Sequence, residues 1–206
     1  MRVPNAIHEA RPWVMNEIAP DFTLMDVWAL PVEGGADDFP AFLEVMGSID
    51  PARADSAPTR ALFWVRLRLG DLLGWDDTTA QHPIPGASET TLRDRLSEDL
   101  RNSAADSLPG KGTSQIAGFV PLYRTANEAA AEIANATVHG VLHLGWVEQP
   151  DGRFRGQLAV YVKPRGRLGQ AYLLLISPFR HLVVYPALLR QIGRAWEARR
   201  SKISPS

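Results

Sequence analysis

The chain has 206 residues, of which 45% are apolar and 22% charged, with a net charge of −1; it is long enough to bury a substantial core and has the make-up of an ordinary globular protein. That balance supplies no bulk attraction to nucleic acid or to a membrane, so neither is an expected partner. The lack of cysteine excludes disulfides, thiolate metal sites and a cysteine nucleophile. With no apolar leader and no run of roughly 20 apolar residues, a cytoplasmic location is expected.

Residues 1–20 read as an arm anchored by Trp13 and Ile18. Phe22 to Leu30 reads as a first strand, closed by Pro31 and the Gly34-Gly35 turn. Asp37 or Asp38 can cap a helix whose Phe39, Phe42, Leu43 and Met46 follow helical spacing to about Gly47. After a Pro/Ala/Ser linker at 51–58, Arg60 to Trp75 fits a helix, with Thr59 as cap and Gly74 as stop. Residues 76–118 are polar and irregular, with one short helix expected from Glu89 to Leu100 behind Ser88. Such a segment is either a pocket lid or a surface excursion.

Phe119 to Arg124 predicts a short strand. Thr125-Ala-Asn-Glu128 has the form of a capping box, which predicts a helix from Glu128 to Asn135. Thr137 to Glu148 and Phe154 to Lys163 predict two strands joined at Asp151-Gly152. Gly-Arg-Leu-Gly at 166–169 reads as a turn before the apolar run Ala171 to Ile176. Ser177-Pro178 fits the start of a closing helix running to about Arg200, which Pro186 either kinks or marks as the true beginning.

Charge is divided unevenly. Residues 1–100 hold 17 Asp/Glu against 8 Lys/Arg, whereas residues 101–206 hold 6 against 14. Either an acidic half packs on a basic half, or Arg124, Arg180, Arg190 and Arg194 face a site for an anionic ligand.

His139 and His143 have the spacing of a helical metal pair. On a strand, however, four residues separate their Cα atoms by roughly 13 Å, too far for one ion bound at about 2 Å. The strand reading therefore leaves no metal site, and both histidines on one face, either pocket-lining or surface groups. Arg180 and His181, placed in the first turn of a helix, oppose its dipole and need an acidic partner or a bound anion. Tyr161 and Tyr185 are amphipathic candidates for a ligand wall. Gly110-Lys-Gly-Thr-Ser114 lacks the spacing of a phosphate loop, no G-x-S-x-G elbow occurs, and Asp76-Asp77 reads as a solvated pair. No cofactor is implied.

Six pieces together resemble a known family: Asp26-Val-Trp-Ala-Leu-Pro31, Leu72-Leu-Gly-Trp-Asp76, Leu92-Arg-Asp-Arg-Leu96, Asn135-Ala-Thr-Val-His-Gly140, His143-Leu-Gly-Trp146 and Pro178-Phe-Arg-His-Leu-Val-Val-Tyr-Pro186. The family is an uncharacterised bacterial one, a domain of unknown function grouped with the START-like (SRPBCC, birch-allergen-like) superfamily. The resemblance spans about residues 3–200. It implies one α+β domain over 1–206 with a helix-grip fold, in which a curved antiparallel sheet wraps a long C-terminal helix around a hydrophobic cavity. The helix expected at 128–135 departs from that pattern by interrupting the strands. Superfamily relatives bind lipids, sterols or polyketides, and some are cyclases or dehydratases. The leading expectation is binding of a small hydrophobic or amphipathic molecule, with His139, His143, Tyr161, Arg180, His181 and Tyr185 as ligand-binding candidates. The alternatives are an enzyme using His139, His143, His181 or Tyr185 as acid/base groups, and an interaction module without a small ligand.

Overall fold

A computed structural model of the chain describes residues 1–49, 83–103, 119–135 and 137–203. Its centre is a five-stranded antiparallel sheet made of β1 (Thr23–Gly34), β2 (Val120–Arg124), β3 (Glu128–Ala134), β4 (Val138–Glu148) and β5 (Phe154–Pro164), in the order β1-β5-β4-β3-β2. Strands β2 to β5 form a meander, and β1 pairs with the remaining side of β5. At the Asp151-Gly152 turn, Gly152 has φ +77°, a conformation open to glycine without steric cost.

The helices are α1 (Asn5–Glu9), α2 (Val14–Ile18), α3 (Phe39–Ser48), α4 (Glu98–Ser103), α5 (Gly166–Phe179) and α6 (Tyr185–Ile203). A five-residue π-helical turn, Arg180–Val184, joins the last two. The fold is α+β, with a long C-terminal helix against an antiparallel sheet in a helix-grip-like arrangement.

Alternation along each strand sends successive side chains to opposite faces, and both faces of the sheet are covered. On one, Trp13, Met15 and Phe22 of the N-terminal segment, with Ile84, Leu92 and Leu96, pack on Val27, Val141 and Tyr161; this is the arm face. On the other, the helix face, Phe42 and Met46 of α3 and Ile192 and Trp196 of α6 pack on Leu144, Trp146 and Leu158. Between the C-terminal helix and the sheet lie the rings of Phe42, Trp146 and Trp196, with centroids 5.5 and 6.3 Å apart in sequence. Each face relies on a strand glycine for close approach. A Cβ on Gly145 would lie 3.0 Å from Trp13, and one on Gly156 would lie 3.0 Å from Phe42.

Part of the uneven charge is met by pairing between the two halves of the chain. Asp21 bonds Lys163 at 2.8 Å, Asp26 bonds Arg180 at 2.6 Å, Glu33 meets Arg153 and Arg155, and Glu44 meets Arg199.

Four local expectations are corrected. Residues 128–134 are strand β3, not helix. Thr125 Oγ1 does accept the Glu128 N–H at 3.1 Å, but this closes a turn between strands, and the Glu128 side chain turns into the core instead of back to Thr125. Pairing on both sides, with β2 and β4, overrides the helix propensity of Glu-Ala-Ala-Ala-Glu. The expected helix 89–100 is a 3₁₀ turn, Leu92–Arg95, capped by Thr91, followed by α4. The 166–169 segment is the first turn of α5, where Gly169 lies so close to Thr137 O that a Cβ would come within 2.1 Å of it. Ser177-Pro178 does not start the closing helix but lies inside α5, while Pro186 falls in the first turn of α6. The expected helix 60–75, Asp76-Asp77 and the 110–114 loop lie outside the described residues.

Candidate functional site

Strands β3 and β4 build the same pair twice on the arm face. Glu128 lies across from Gly145 and Glu132 across from Val141, so each carboxylate reaches diagonally to a histidine two residues away on the partner strand. His143 Nε2 lies 2.9 Å from Glu128 Oε2, and His139 Nε2 lies 2.8 Å from Glu132 Oε2. Each carboxylate also holds a covering segment. Glu128 Oε1 accepts the N–H of Val14, the first residue of α2, at 3.0 Å, and Glu132 Oε2 accepts the N–H of Leu92 at 3.1 Å. Tyr123 completes the first group by donating its hydroxyl to Glu128 Oε2 at 2.7 Å. Burial and the nearby Glu128 carboxylate push the Tyr123 phenol well up. Both histidines are fully buried, so these groups fasten the cover to the sheet from beneath.

Beside them, His8 packs among Trp13, His143 and Tyr161, with ring centroids 5.2 to 6.1 Å from its own. Its Nδ1 lies 3.0 Å from the amide oxygen of Gln157; since that oxygen only accepts, Nδ1 carries the hydrogen. Burial, reinforced by His143, pushes the His8 imidazole down to about 4. Burial also pushes the Tyr161 phenol up, with smaller contributions from Glu9 and Glu128.

The helix face holds a different carboxylate. A β-bulge sets Leu24 opposite Tyr161 and Asp26 opposite Val160, and the extra residue turns Asp26 to the face opposite Leu24. There Asp26 Oδ2 accepts from Arg180 at 2.6 Å and from the Tyr185 hydroxyl at 3.1 Å. Asp26 Oδ1 lies 2.7 Å from His181 Nε2 and 3.7 Å from Arg2. His181 Nδ1 faces the Ser177 carbonyl at 2.8 Å, so both ring nitrogens lie beside oxygen atoms. The π turn brings Arg180 and His181 onto one carboxylate together with Tyr185, and π-bulges of this kind often occur at functional sites. Burial pushes the Tyr185 phenol up, opposed by Arg180.

The six residues singled out from sequence therefore form two groups separated by the sheet: His139, His143 and Tyr161 on the arm face, and Arg180, His181 and Tyr185 on the helix face. The acids that organise them, Glu128, Glu132 and Asp26, were not singled out. Among the described residues no cluster of three or more His, Asp or Glu is placed to hold a metal ion.

A cleft of about 480 Å³ opens at one end of the arm face. Val3, Ile7, Ala29 and Val147 form an apolar wall; Arg11, Arg155 and Gln157 supply polar groups, with Glu148 beside them. None of the six predicted residues lines it. Its link to the buried groups is Gln157, whose other side bonds His8. Among the described residues no helix is long and apolar enough to cross a membrane.

A family model described as "Protein of unknown function (DUF2867)" matches residues 18–187. The chain belongs to this family. No curated protein and no solved structure matches it. The DUF2867 match takes in both carboxylate groups, from Asp26 in β1 to Tyr185, the first residue of α6. His8 of α1 and Arg11, just beyond it, precede the match.

Proposed function

We propose that this DUF2867 protein binds a small amphipathic molecule in the cleft beside Gln157. The observation that carries the reading is the cleft itself. Its volume of about 480 Å³ suits a small ligand, and such sites combine an apolar wall with a few placed polar groups. The helix-grip-like arrangement supports the same reading by analogy with the START-like (SRPBCC) superfamily, whose members hold lipids, sterols or polyketides; fold alone does not assign a ligand.

The test is a fluorescence titration of the full chain with phenylnaphthylamine, a neutral apolar probe. Saturable binding is expected, weakened about tenfold by Ile7→Glu, which sets a charge in the apolar wall. Ile7 is 53% exposed, so this change leaves folding intact. Binding that does not saturate, or that ignores Ile7→Glu, removes the cleft from consideration.

A further inference from the structure

We infer that the cleft selects a ligand with an anionic head group, a carboxylate or phosphate on an apolar body, and that Arg11 and Arg155 hold the head. The inference rests on the cleft being a binding site and adds the chemistry of its ligand.

Three donor groups in the cleft have capacity that the described residues do not use. The Arg11 guanidinium, half-buried in the bend that follows α1, makes no hydrogen bond or ion pair with any of them. Arg155 gives one terminal nitrogen to Glu33, but its Nε is buried without a partner. Gln157, only 6% exposed, spends its amide oxygen on His8, which leaves its amide N–H groups as donors at the cleft. A planar guanidinium and a fixed amide together match the oxygens of a carboxylate or phosphate. A buried donor without an acceptor is costly, which applies to the Arg155 Nε; an anionic head in the cleft would lie among Arg155, the half-buried Arg11 and Gln157. The apolar wall of Val3, Ile7 and Ala29 lies alongside to take the body of the ligand.

Glu148 is the one carboxylate in the lining. It is exposed, so water screens its repulsion of an incoming anion without abolishing it. Its removal should tighten binding of an anion and leave a neutral ligand unaffected.

Two probes sharing an aromatic core separate the possibilities: anionic anilinonaphthalene sulfonate and neutral phenylnaphthylamine, each titrated against the wild type, Arg11→Gln and Glu148→Gln. The expected result is that Arg11→Gln weakens the sulfonate roughly tenfold, the loss of one charge-assisted contact, while the neutral probe stays within about twofold. Glu148→Gln should tighten the sulfonate only. Decanoate and decyl phosphate should displace the sulfonate where decanol does not, and whichever displaces it better identifies the head group. If Arg11→Gln moves both probes equally or neither, the anion inference falls and the cleft remains a binding site for neutral molecules. If neither probe binds the wild type, the cleft reading falls with it.

Discussion

The two faces of the sheet use the same chemistry, a buried carboxylate bonded to an imidazole, in opposite circumstances. On the arm face both side-chain partners of Glu128 are enclosed: Tyr123 and His143 are 0% exposed. On the helix face Asp26 is equally buried, but the Arg180 and His181 side chains retain 14% and 27% of their surface in water. The first group has no fallback if one member is lost, whereas the second can turn Arg180 and His181 to solvent. The cost of a buried ion pair depends on what its partner does when left alone, and here that differs across one sheet.

Glu128→Ala is the most direct way to break this contrast. It strands an imidazole, a phenol and a backbone N–H, and should cost about 3–5 kcal/mol, seen as a large fall in the denaturation midpoint with loss of cooperativity in the arm. Asp26→Ala should cost less, about 2 kcal/mol, because Arg180 and His181 recover hydration. Its signature should be local, with amide exchange accelerating in Arg180–Val184 while β3 and β4 keep their protection. If Asp26→Ala proves the costlier change, the contrast drawn from exposure is wrong.

The next effect tests the apolar packing that accompanies each carboxylate. Gly145→Ala presses a methyl against Trp13, and Gly156→Ala presses one against Phe42, each at 3.0 Å. Overpacking of this kind costs about 1–3 kcal/mol. Trp13 is carried by a short segment and can shift, whereas Phe42 is wedged in α3 beneath Trp146 and cannot move as freely. Gly156→Ala should therefore destabilise more than Gly145→Ala in thermal melts, and the reverse order would mean that the arm is the more rigid cover.

Much of this frame could be read from sequence, and the missing parts share a cause. Strands β4 and β5 and their Asp-Gly turn were legible because alternation and turn chemistry are local. The polar residues set in apolar runs, His139, His143, Arg180 and His181, were legible as unusual for the same reason. Their partners were not. Glu132 to His139 spans seven residues, but Asp26 to His181 spans 155, and no local pattern encodes a register of that length. The bulge that turns Asp26 to the helix face leaves no mark in Leu24-Met25-Asp26 beyond an acid in an apolar strand. The strand nature of Glu128–Ala134 was hidden by residues that favour helices, although Glu128 and Glu132 share a parity that a strand would place on one face. The π turn has no local signature apart from its flanking prolines, Pro178 and Pro186, neither of which can donate to a helix.

The smallest effect per step comes from His8, and its sign separates the faces again. Folding holds this imidazole at about 4 against an ordinary value of 6.5, so between those limits the unfolded chain takes up a proton that the folded chain refuses. Its contribution to stability is complete above about pH 6.5 and is lost as pH falls toward 4, by about 1.4 kcal/mol per pH unit. The groups facing it are His143 from β4, Gln157 and Tyr161 from β5 and, at longer range, Glu128 from β3 and Arg11 from the bend after α1. Urea midpoints of the wild type should therefore fall between pH 6.5 and 5. His8→Asn, which keeps a side-chain N–H directed at Gln157 but does not titrate, should flatten that slope. Combined with Asp26→Ala, the His8→Asn flattening should persist unchanged, because the two sites lie on opposite faces and share no partner. A slope that survives His8→Asn but disappears with Asp26→Ala would place the acid sensitivity on the helix face instead.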